Sequence, residues 1–124
     1  MKDEINKYLE QNKTSEFKSL LFSFIDEKNL NDSEVYKRVG IDRKIFSKIR
    51  CIPHYIPKKN NVIKLFLSLS LDMDETNKLL SSAGYQFIRN DNFDLIICYF
   101  IEKEIYDIDL INYYLDSYTG TVLD

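Results

Sequence analysis

Apolar residues recur along this chain at three- and four-residue intervals for most of its length, the period of helices that bury one face. Phe17, Leu20, Leu21, Phe24 and Ile25 make the first stripe, with Thr14 or Ser15 placed to cap it. Ahead of it, Ile5, Tyr8 and Leu9 line one side of residues 1–13, enough for a turn or two of frayed or docked helix. Asn31 followed by Glu34 is a capping-box signature, and Gly40 stands where a left-handed residue closes the short helix that results. Asp42 can cap the next helix, residues 43–50. Val35, Val39, Gly40, Ile41, Phe46 and Ile49 are thus spaced so that two short helices cross with a tight turn between them. Pro53 and Pro57 turn residues 51–57 into a loop, because each steers the residue before it away from helical backbone.

Beyond the loop, Val62, Leu65, Phe66 and Leu69 form one stripe while Ile63, Leu67 and Leu71 fill the other side, which predicts a central helix apolar nearly all round. Asp72 with Glu75 caps a fifth helix carrying Thr76, Leu79, Leu80 and Ala83, and Gly84 stops it. The remaining residues repeat the period twice: Phe93, Ile96, Ile97, Phe100 and Ile101, then Ile108, Ile111, Leu115 and Tyr118 after a break near Tyr106 and Asp107. A helical hairpin is the reading; a strand pair is the alternative, given the β-branched and aromatic content. The expected fold is all-α: one domain over residues 1–124, with a five-helix core at about 14–84 and an acidic, tyrosine-rich helical extension at about 91–124.

Composition agrees. A chain of 124 residues, 44% hydrophobic, with three glycines and two prolines, suits one helical domain with an apolar core rather than disorder or a turn-rich β-sandwich. The charged opening and the lack of a long apolar run point to a cytoplasmic protein with no membrane partner. In that compartment Cys51 and Cys98 are expected as free, buried or half-buried thiols, a disulfide being the lesser alternative. Charge changes the picture more. Residues 37–64 hold nine Lys/Arg against one acid, Asp42, a local +8 in a chain of net −3. Residues 91–124 hold eight acids, one base (Lys103) and seven aromatics. One basic region on an acidic body is the electrostatic footprint of a nucleic-acid reader.

The segment SEVYKRVGIDRKIFSKIR, Pro57 after the loop, and LFLSLSLDMDETNKLL together resemble the lambda-repressor-like (Xre-type) helix-turn-helix domain across residues 17–80, about half the chain. The resemblance implies a five-helix DNA-binding fold, and many such proteins pair as two-fold dimers. Three positions depart from the family pattern. Tyr36 stands where the family usually has alanine, so the phenol must swing outward or hold the helices apart. Asp32 stands where many members carry glutamine, and repels a phosphate unless it turns inward as a cap. Arg50 replaces a commonly acidic position, a change that favours nucleic acid.

If the second helix of the pair enters a major groove, its exposed side offers Arg43, Lys44, Ser47 and Lys48 to base edges. Lys37, Arg38, Arg50, Lys58 and Lys59 would hold the backbone. The plainer alternative for all of them is a solvated face. Ile45 points outward, to a thymine methyl or, better, to packing. His54 is alone and reads as a loop residue, and Asp72, Asp74 and Glu75 read as caps, so neither metal nor cofactor is expected. No phosphate loop or nucleophile constellation argues for an enzyme. In the extension, Tyr99, Tyr106, Tyr113, Tyr114 and Tyr118 are candidates for a dimer or protein-partner surface, against the alternative that its stripes only complete the core. The expected function is sequence-specific duplex DNA binding by a small bacterial-type transcriptional regulator. A non-catalytic interaction module on the same fold is the competing expectation.

Overall fold

A computed structural model describes residues Met1–Asp124 and contains helices and turns only. Eight helices follow in order: α1 (Lys2–Asn12), α2 (Glu16–Glu27), α3 (Asp32–Arg38), α4 (Arg43–Cys51), α5 (Lys59–Ser68), α6 (Met73–Ser82), α7 (Asn92–Glu102) and α8 (Ile108–Thr119). No helix is long and apolar enough to cross a membrane.

The starts of these helices follow from short polar side chains. Asn31 and Asp72 each accept the amide three residues on, from Glu34 and Glu75, while those glutamates return a carboxylate to the cap's own amide. Asp42 accepts the amide of Lys44 at 2.7 Å, and Asp107 accepts those of Asp109 and Leu110. Ser15 is the N-cap of α2, but its side chain makes no capping bond. The ends share one device. Asn29, Gly40, Ser70, Gly84 and Glu104 all adopt positive φ, and the apolar residue after each bonds back to the carbonyl five positions earlier, as Ile41 does to Tyr36 at 3.0 Å.

The core is a single cluster of 25 buried hydrophobic residues, fed by every helix except α1. Helix α5 is its axis: each residue from Val62 to Ser68 is buried, as the unbroken apolar pattern predicts. A side chain such as Phe66, fully removed from water, contributes roughly 1.5–3 kcal/mol. Helices α5 and α6 pack together, α2 lies on α6, α3 on α5, and α7 pairs with α8 as the expected hairpin, helical and not stranded. The hairpin joins the same core through Ile97, Phe100, Ile101, Ile111 and Leu115.

Two expectations are corrected here. Residues 2–12 form a full helix rather than a turn or two, yet α1 buries none of its residues, and Ile5, Tyr8 and Leu9 face solvent. Both cysteines are free, but Cys51 is exposed, because α4 runs one residue past Arg50 and ends on its solvent side; Cys98 is half-buried.

Candidate nucleic-acid interface

Helix α4 is held from one side. Phe46 and Ile49 are 3% and 1% exposed, and a column of side chains fixes its direction. The Tyr36 ring lies 5.5 Å from that of Phe46, Phe46 meets Phe22 edge to face at 6.0 Å, and the Arg50 guanidinium stacks 4.0 Å over Phe22. Arg50 then closes on Asp32 through two hydrogen bonds, Nε to Oδ2 at 2.6 Å and Nη2 to Oδ1 at 2.8 Å. This column takes up all three positions at which the chain departs from the pattern it resembles. Tyr36 packs half-buried on Phe46, so α3 and α4 meet through rings. Asp32 is neither a cap nor a free anion, because Asn31 caps the helix and Arg50 neutralises Asp32. Arg50 is correspondingly not a free backbone clamp, and its carbonyl also accepts from the Lys18 ammonium.

The other cations divide sharply. Arg43, Lys44, Ser47 and Lys48 are all exposed on α4. None of the three cations among them forms an ion pair, and Ser47 touches only the Cys51 sulfur, at 4.0 Å. Lys37 and Lys58 are likewise exposed and unpaired. Arg38 is tied down, donating to the Ser68 carbonyl at 3.2 Å with Glu34 at 3.9 Å. Lys59, expected on the backbone side, is turned the other way: its ammonium lies 2.7 Å from Asp94, a carboxylate 2% exposed that also accepts the Ile88 amide at 2.6 Å. Asp94 needs a cation because an isolated buried carboxylate is costly, and Lys59 is the one within reach. Ile45 is half-buried against the core, the packing role expected of it.

Lys64 is a further departure from a uniform basic face. It is 5% exposed, and burial lowers its pKa below the ordinary 10.5, with Asp124 partly offsetting that. The signal was present in the sequence, since Lys64 is the only charge between Val62 and Leu71 in an otherwise apolar run. Sequence reasoning missed what it adjoins: a cleft of about 550 Å³ between the starts of α4 and α5, lined in part by Tyr55, Asn60, Asn61 and Asp124. The closing residues reach this cleft because Leu123 is buried and Asn112 holds its main chain with bonds of 2.8 and 3.2 Å. They leave the exposed side of α4 uncovered.

The candidate partner surface also divides. Tyr99, Tyr113, Tyr114 and Tyr118 are exposed, and Tyr99, Tyr114 and Tyr118 border an apolar groove of about 660 Å³ with Leu95, Ile96 and Leu110. Tyr106 is turned inward instead: its hydroxyl donates to the Leu71 carbonyl at 3.0 Å, and burial raises its pKa. Cys98, half-buried on α7, is pushed up to about 11 by burial and then by Asp94. His54 adopts positive φ, and its Nδ1 donates to the Thr14 carbonyl at 2.8 Å, fastening the loop to the start of α2. No cluster of three His, Cys, Asp or Glu side chains comes together to hold a metal.

No family model, no curated protein and no solved structure matches this chain.

Proposed function

We propose that this chain binds duplex DNA through a helix-turn-helix formed by α3 and α4, as a small non-catalytic transcriptional regulator that works without a cofactor in the cytoplasm. One observation carries the reading. Every apolar side chain of α4 except the exposed Cys51 is buried or half-buried, while Arg43, Lys44, Ser47 and Lys48 stand out with no internal ion pair. In a major groove Arg43 and Lys44, in the first turn, meet base edges, and an arginine there recognises guanine through two parallel bonds. Lys37 and Lys58 meet phosphates and supply the salt-dependent part of the affinity.

The exposed tyrosines of α7 and α8 favour paired copies joined through that face, the arrangement that places two α4 helices on adjacent half-sites. The same groove supports a second reading, in which the extension holds a protein partner of another kind.

Fluorescence anisotropy of labelled duplex DNA at several salt concentrations tests the proposal. Affinity should fall steeply with salt, and R43A and K44A should each cost about 1–3 kcal/mol if they touch bases, or lower the salt slope by about one if they touch phosphates. Salt-insensitive binding, or binding unchanged in the double variant, would refute the DNA reading and leave the partner reading.

A further inference from the structure

The cleft between α4 and α5 shares only Lys58 with the DNA reading. Its floor holds Lys64, a side chain only 5% exposed whose ammonium opens to the cleft and has no hydrogen-bond or ion-pair partner. A cation with so much of its side chain buried draws its countercharge from the cleft alone, where Asp124 supplies part of it without forming an ion pair. The start of α5 opens onto the same space. Its N-cap, Lys58, provides no side-chain acceptor, and the amides of Lys59 and Asn60 make no bond within the protein. Unbonded amides at a ten-residue helix carry the positive end of its dipole toward the cleft.

The remaining lining sharpens the ligand. Asn60, Asn61 and the Tyr55 hydroxyl can all donate, and no side-chain bond within the protein occupies them. Of the two carboxylates on the walls, Asp42 has one oxygen on the Lys44 amide and keeps its charge. Asp124 stands near enough to raise the Lys64 pKa but forms no ion pair with it. The site therefore presents a deep cation, a rim cation and main-chain donors, with Asp42 and Asp124 opposing them from the walls, to a compact group with several acceptor oxygens. We infer that this cleft binds the phosphoryl group of a small phosphate monoester. A duplex phosphodiester, fixed on a wide rod, reaches the rim at Lys58; a terminal phosphoryl group on a small molecule reaches the floor. The volume of about 550 Å³ lies within the range of small-molecule pockets, leaving room for the organic part of the ester.

The test is a titration of the full-length ¹⁵N-labelled chain at constant ionic strength with inorganic phosphate and with glycerol 3-phosphate, glycerol serving as the uncharged control. Saturable shifts are expected at the amides of Gly40, Lys59, Asn60 and Asn61 with both anions and not with glycerol. K64M, which keeps the length and removes the charge, should weaken binding roughly tenfold or more, the weight of one charge-assisted hydrogen bond. D124N, on the exposed rim, should tighten it, and it supplies a second reading should K64M misfold. The inference is overturned by three results: no saturable shift at those amides, equal affinity in K64M, or shifts at those amides only with unphosphorylated blunt duplex DNA. Glycerol 3-phosphate binding in a protein that ignores DNA would uphold the cleft and sink the DNA proposal, so the two fail separately.

Discussion

The exposed faces of α4 and α8 are both rich in side chains that sequence patterns assign to partners, but they are built on opposite principles. Helix α4 hides its hydrophobic residues and shows charge, and its direction is set by a packed column beneath it. Helix α8 buries Ile111 and Leu115 yet leaves Tyr113 and Tyr118 65% and 71% exposed above an acidic surround. A charged face over a fixed support suits a polyanion whose counterions are released on contact. An aromatic face beside an apolar groove suits a partner that excludes water. The difference teaches that the raw charge count overstates the first surface. Of the nine bases in residues 37–64, Arg38, Arg50 and Lys59 are engaged and Lys64 is buried, leaving five exposed without a partner.

The sharpest way to break the contrast is to cut the link between the two regions. Asp94→Ala leaves Lys59 without its partner and the Ile88 amide without its acceptor, and should cost about 3–5 kcal/mol in urea unfolding. A loss under 1 kcal/mol would show that the hairpin holds to the core by its apolar face alone. Next in size, R43A and K44A should weaken DNA binding as described above while leaving the urea midpoint in place, because neither side chain touches the core. Lys64→Met should stabilise the fold by about 1 kcal/mol at neutral pH by removing a buried charge. The sign follows from the lowered lysine pKa: the unfolded chain holds that proton more tightly, so wild-type stability rises with pH between the lowered folded value and 10.5. The gain from K64M should accordingly shrink across that window. Smallest in stability, within about 0.5 kcal/mol, should be Tyr113→Ser and Tyr118→Ser. Their effect belongs in sedimentation velocity, as a shift toward monomer; unchanged association would move the dimer contact elsewhere.

Local chemistry made most of the helices legible. The α3–α4 turn could be read because Gly40 sits between correctly phased apolar positions, and the caps at Asn31, Asp42 and Asp72 because each precedes its helix at the spacing that bonding requires. The left-handed ends at Asn29, Ser70 and Glu104 escaped notice, since no glycine marks them. Pairings across the fold were invisible for a deeper reason. Asp32 and Arg50 are 18 residues apart and Lys59 and Asp94 are 35 apart, and periodicity records which side of a helix a residue occupies, not which distant residue waits there. The exposure of Arg43, Lys44, Ser47 and Lys48 was legible; the inward turns of Ile45, Lys59 and Tyr106 were not.

The stack running from Tyr36 through Phe46 and Phe22 to Arg50 and Asp32 also separates aim from grip. A change of ring size at Tyr36 or Phe22 would tilt α4 like a rudder without altering any side chain it displays. Under the DNA reading, a change of posture there alters what α4 meets before any displayed side chain changes.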